Sequence, residues 1–168
     1  MEKQNIQDVE FTESENAEQL LLAEKDIIQG MLEAADFKSE ETTKIEIIRS
    51  KKKFFEFEIR ALSEAEYDSA RTKHTKFVRN KQLGIKMPED TDSVKYRSEL
   101  IYMATVDKDK TWDNKKLWSA LSAKGKDILT GTDVIDIVLK SGEKEAVVKQ
   151  IDMISGYEDS NLEEVVKN

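Results

Sequence analysis

An α+β fold, mostly α, is what this chain predicts: a small helical domain with one N-terminal β-hairpin packed on the helices. Three observations lead there. Thr43-Lys-Ile45-Glu-Ile47 and Phe55-Glu-Phe57-Glu-Ile59 alternate apolar and charged residues with the period of a strand. Beyond Ser63 the apolar residues recur at helical spacing between capping residues. One proline and six glycines in 168 residues are too few turn residues for an all-β sandwich.

The elements follow in order. Residues 1–15 are polar and without period, and are read as disordered. From Ala17 to Ala35, Leu20, Leu21, Ala23, Ile27, Ile28, Met31 and Leu32 fall at helical spacing, and Gly30 weakens that helix by about 1 kcal/mol relative to alanine. This segment is either a docking helix that orders on a partner or an ordinary helix packed on the core. In the hairpin, Ile45, Ile47, Phe55, Phe57 and Ile59 share one face. The predicted turn is Ser50-Lys51-Lys52-Lys53. The register sets Ile45 against Phe57, Ile47 against Phe55 and Lys44 against Glu58, but also Glu46 against Glu56, an unfavourable like-charge pair. Two strands alone are marginal, so the hairpin must pack on helices or pair with another chain.

Ser63-Glu-Ala-Glu66 reads as a capping box opening a helix from Glu64 to about Val78. Pro88 marks a loop, and Glu89-Asp90-Thr91-Asp92 starts a helix carrying Tyr96, Leu100, Ile101, Met103 and Ala104. Asp113 caps a shorter helix with Leu117, Trp118 and Leu121 inside, and Gly125 ends it. Thr132 or Asp133 opens a segment burying Val134, Ile135, Val138 and Leu139. Ser141 caps the last helix, where Val147, Ile151 and Ile154 share a face. Gly156 occupies the left-handed position at its end, and Tyr157 folds back. The organisation is an acidic arm over 1–41 with the helix at 17–35, a hairpin plus helical domain over 42–157, and an acidic tail over 158–168.

Charge is unevenly placed. Of the net charge of -8, residues 1–41 hold twelve acids and three bases, and residues 42–168 hold 23 acids and 24 bases. The acidity belongs to the arm. Absence of cysteine excludes disulfides, thiol catalysis and cysteine-ligated metal. No signal peptide and no membrane span are read, because the apolar runs are only a few residues long.

Catalytic signatures are sparse. His74 is the single histidine, so a Ser-His-Asp or zinc-dependent site would have to use it. It reads as a solvated histidine on a helix surface. Asp107-Lys-Asp109 resembles a fragment of a calcium loop without its glycine and distal glutamate, and reads as a turn. The six glycines are scattered and build no phosphate loop. No catalytic residue, cofactor or metal is expected. Residues 69–86 carry Arg71, Lys73, Lys76, Arg79, Lys81 and Lys86 and no acid. Such a stretch is a solvated basic helix face, a phosphate-binding surface, or a landing site for acidic segments.

The order of parts resembles the tail assembly chaperones of tailed bacteriophages, in particular those of phages and prophages of Gram-positive hosts. The matching features are Phe55-Glu-Phe-Glu-Ile-Arg-Ala-Leu-Ser-Glu-Ala-Glu-Tyr67, Ser98-Glu-Leu-Ile-Tyr-Met-Ala-Thr-Val106, then Leu117, Gly125, Val138-Leu-Lys-Ser-Gly-Glu143 and Ile151-Asp-Met-Ile-Ser-Gly-Tyr157. The helix at 17–35 is longer and more apolar than the family's short arm, and Lys140-Ser141 stands where the family tends to have an apolar residue or proline.

The resemblance implies a non-enzymatic protein of the bacterial host cytoplasm, absent from the mature virion. It would bind the tape measure protein, a long helical client, and keep it soluble while the tail tube polymerises. Tail tube protein and a second copy of the chain are further candidate partners. A membrane is not among them, and nucleic acid is the weaker alternative, through 71–86 as a regulatory or nucleic-acid-binding module. The candidate contact residues are Leu20, Leu21, Ile27, Ile28 and Met31 on the N-terminal helix, and Arg71, Lys73, Lys76 and Arg79. A frameshifted longer product is a further family trait, compatible with Lys167-Asn168 as a slippery codon pair.

Overall fold

Ten elements follow one another in the computed structural model, which describes residues 13–157, and the side chains of 17–37 and 41–157. They are α1 (Glu13–Glu40), β1 (Thr42–Arg49), β2 (Lys52–Arg60), α2 (Glu64–Lys73), β3 (Thr75–Arg79), β4 (Lys86–Thr91), α3 (Ser93–Ala104), α4 (Lys115–Ala123), α5 (Gly131–Val138) and α6 (Ser141–Ile154). The disorder expected over 1–15 is contradicted at 13–15, which already belong to α1; the expectations for 1–12 and for the tail 158–168 lie outside the described residues. The chain divides after Glu40 into two compact units. The class is α+β and mostly α, with two antiparallel hairpins in place of the single one expected.

The register of β1 and β2 is the one the alternation predicts, with Ile45 opposite Phe57, Ile47 opposite Phe55 and Lys44 opposite Glu58. Glu46 does face Glu56. Lys53 resolves that conflict, because its ammonium lies 2.6 Å from Glu46 and also bonds Glu56. The turn is shorter than expected: Ser50 and Lys51 alone take positive φ, and Lys52 and Lys53 belong to β2. Two left-handed residues match the twist of the flanking strands.

The capping box at α2 forms as expected, with the Ser63 N–H donating to Glu66 at 2.9 Å. The helix itself stops at Lys73 rather than Val78. Thr75-Lys-Phe-Val-Arg79 is rich in β-branched and aromatic residues and finds a partner strand in Lys86–Thr91. Pro88, expected in a loop, lies in β4. Its missing N–H is tolerated on a two-stranded ribbon, next to the register shift between Lys76 and Phe77.

Three further caps shift by one or two residues. Asn114 rather than Asp113 caps α4, because Asp113 is engaged by the Tyr102 hydroxyl at 2.7 Å. Thr130 caps α5, with the Asp133 carboxylate accepting its N–H at 2.8 Å. Lys140 precedes α6 and Ser141 is its first residue; Glu143 accepts the Lys140 N–H at 2.7 Å. Gly125 and Gly156 take the positive φ that ends α4 and α6. The Tyr157 ring meets Tyr67 edge-on at 5.1 Å.

The core lies in the second unit. Ile47, Phe57 and Ile59 from the hairpin pack with Leu100, Ile101, Val134, Ile135, Val147 and Ile151. Trp112, buried and 5.1 Å from Phe57, closes one end, and its indole N–H donates to Thr105 at 2.8 Å. Lys144 is buried too, and is neutralised by Asp136 and bonded to Ser98. Leu117, Trp118, Leu121 and Val138, expected inside, are half-buried.

Candidate partner-binding surfaces

None of the described apolar side chains of α1 is buried. Leu20, Leu21, Ile27, Ile28 and Met31 are 71%, 65%, 59%, 52% and 67% exposed, and Leu22, Leu32 and Phe37 are exposed as well. At 100° per residue Leu20, Ile27 and Met31 fall on one seam and Leu21, Ile28 and Leu32 on the next. Together they form an apolar stripe on a rod about 42 Å long. Its charges are eight acids and two bases. Exposed apolar surface of this extent is seldom left bare in water.

The basic stretch is not one helix face. Arg71 and Lys73 end α2, whereas Lys76 and Arg79 stand on β3, Lys81 in the turn and Lys86 on β4. Lys73 is held by the nearly buried Glu99 at 2.9 Å, and Lys76 pairs with Glu89 at 2.8 Å. His74 is not a solvated surface histidine. It ends α2 with its side chain 15% exposed and Nε2 3.2 Å from Glu99. The same turn thus brings Lys73 and His74 onto one buried carboxylate.

The ribbon formed by β3 and β4 was missed in the sequence, and it carries its own apolar residues. Phe77, Val78, Leu83, Ile85 and Met87 are exposed, and every residue from Lys76 to Asp90 except Asn80 is exposed. The available signal was the turn: Asn80 Oδ1 accepts the N–H of Gln82 at 2.9 Å and of Leu83 at 3.1 Å, and Gly84 has positive φ. Asn80 followed four residues later by glycine, between Phe77-Val78 and Ile85-Lys-Met87, has the pattern of a hairpin loop.

Several grooves mark the second unit, and two of them border the β1–β2 hairpin. One, of about 490 Å3, is lined by Phe55, Phe57, Trp112, Leu117 and Val138. The other, of about 300 Å3, runs between β1 and Glu143, Ala146, Val147 and Gln150 of α6. Asp107 is paired with Lys110 at 2.8 Å inside a turn. Among the described residues no cluster of metal-ligating side chains occurs, and no helix is long and apolar enough to cross a membrane.

Comparison with known proteins adds one finding. A family model described as phage XkdN-like tail assembly chaperone protein matches residues 28–168, or 141 of the 168 residues. Ile28, Met31, Arg71, Lys73, Lys76 and Arg79 lie within the match, and Leu20, Leu21 and Ile27 precede it. No curated protein and no solved structure matches.

Proposed function

The chain belongs to the XkdN-like family of phage tail assembly chaperones, and from that premise we propose that it binds the tape measure protein and keeps this long helical client soluble during tail tube assembly. The observation that carries the reading is the exposed stripe of α1. A long amphipathic client without its tube offers apolar seams that self-associate, and a second amphipathic helix covers such a seam by side-by-side packing. Leu20, Leu21, Ile27, Ile28 and Met31 form the client surface. Arg71 and Arg79, on the second unit, are cations for a separate contact with acidic segments, while Lys73 is held by Glu99 and Lys76 by Glu89. Each contact is small, so several copies act along one client.

The family is one of assembly factors, which suggests a role without catalysis. The place of action is the bacterial host cytoplasm, before the virion is complete, and tail tube protein is a second partner. Size-exclusion chromatography of the purified chain with the tape measure protein tests the reading. Co-elution that persists at high salt is expected, since apolar packing carries it. Absence of any complex at low and high salt would overturn it.

A further inference from the structure

The ribbon of β3 and β4 and the helix α1 are complementary in the two respects that matter for association. Direct pairing sets Phe77 beside Pro88 and Arg79 beside Lys86 on one face, and Val78 beside Met87 on the other. The Asn80 N–H donates to the Ile85 carbonyl at 2.9 Å, which extends the ladder and brings Ile85 to the Val78–Met87 face. The Phe77–Pro88 face therefore joins apolar side chains to the cations Arg79 and Lys86, and the Val78–Met87–Ile85 face is apolar. Among the described residues no carboxylate lies within ion-pair distance of Arg79, Lys81 or Lys86. The stretch from 69 to 86 contains no acid at all.

The helix α1 offers the converse. Its stripe of exposed leucine, isoleucine and methionine carries acids at its edge and within it, with a net charge of -6 over 13–40. Glu18 and Glu24 lie at the edge and the middle of that stripe by helical spacing. A two-stranded ribbon is marginal in water unless something packs on it. An amphipathic helix laid across a hairpin is the simplest two-layer solution.

We propose that the β3–β4 ribbon of one copy docks α1 of a second copy, head to tail, through its Phe77–Pro88 face and the cations Arg79 and Lys86 on that face, with Lys81 in the turn beside it. The contact is heterologous, so copies add in series rather than closing as a symmetric dimer. It needs no client, so its failure leaves the chaperone reading standing. Because α1 is also the client surface, the self-contact shields the stripe until a client helix displaces the neighbouring ribbon.

Sedimentation velocity of the full chain without client, over a range of protein concentrations and salt, tests this. The wild type is expected to rise to about twice the 19.3 kDa of one chain or more, and to fall back towards one chain as salt screens the contact. Arg79→Glu/Lys86→Glu alone and Glu18→Lys/Glu24→Lys alone are expected to sediment as single chains, each with the helix content of the wild type by circular dichroism. Mixed, they restore association, because each supplies the charge the other lacks. A wild type that stays at 19.3 kDa overturns the proposal, whether α1 is free, folded back or replaced on the ribbon by co-purifying nucleic acid. So does a ribbon variant that associates like the wild type, or a mixture that fails to recover.

Discussion

Arg49 ends β1 and joins parts of the second unit far apart in the chain. Its guanidinium grips both oxygens of Glu143 at 2.7 Å and the Val138 carbonyl at 2.7 Å. Glu143 also closes the first turn of α6, and the Arg49 guanidinium holds its carboxyl below the usual carboxylate range. The Val138–Glu143 segment is therefore an anchor between hairpin and helices. Arg49→Ala and Glu143→Gln should each lower the urea midpoint, and the double variant should add little beyond either. Additive losses would mean the two act separately. Gly131 is a second such residue. A Cβ there would lie 2.6 Å from both Asp113 Oδ1 and Tyr102 Cε2. Gly131→Ala should cost about 1–3 kcal/mol in urea unfolding, and an unchanged midpoint would show that the Tyr102–Asp113 pair yields freely. Glu66 sets a pH dependence. The Arg60 guanidinium, chiefly, lowers its carboxyl to about 2. The folded form therefore binds the proton more weakly than the unfolded chain. The stabilisation is complete above the ordinary carboxylate value of 4.5 and is lost as pH falls from there towards 2. Arg60 is partly exposed, so screening leaves on the order of 1 kcal/mol. Wild type should lose that much more than Glu66→Gln over this window; parallel pH curves would refute it.

Elements differ in how openly the sequence declares them. The β1–β2 register was legible because alternation fixes both face and offset. The cap of α2 and the ends of α4 and α6 were legible from Ser63–Glu66, Gly125 and Gly156. The second ribbon was not. A strong helix start at Ser63 is followed by no glycine until Gly84 and no proline until Pro88, so no residue type marks the stop at Lys73. What ends the helix is tertiary: His74 turns towards Glu99, and Thr75–Arg79 gains a strand partner. The apolar stripe of α1 was readable from spacing, but Leu22 and Phe37 lie off the repeat and were not singled out. Because the stripe is exposed, Leu21→Ser/Ile28→Ser should leave the urea midpoint within about 0.5 kcal/mol of wild type while weakening client capture. A large loss of stability would make α1 part of the fold rather than a binding surface.

At the scale of the whole molecule, the residues divide between holding and offering. The second unit is tied by Trp112, Arg49–Glu143 and the buried Lys144–Asp136–Ser98 cluster. Its buried side-chain polar atoms, among the described residues, all have partners. The first unit offers apolar surface and acidity, and the β3–β4 ribbon offers apolar surface and cations. The chain belongs to a tail assembly chaperone family, and the proposal that its exposed seams serve a client is the central claim. The most direct test of that central claim is co-expression with the tape measure protein, reading the fraction of that client which stays soluble. Wild-type chain should raise it severalfold over client alone, and Leu21→Ser/Ile28→Ser, folded and equally expressed, should not. A client equally insoluble with and without the wild-type chain would contradict the account.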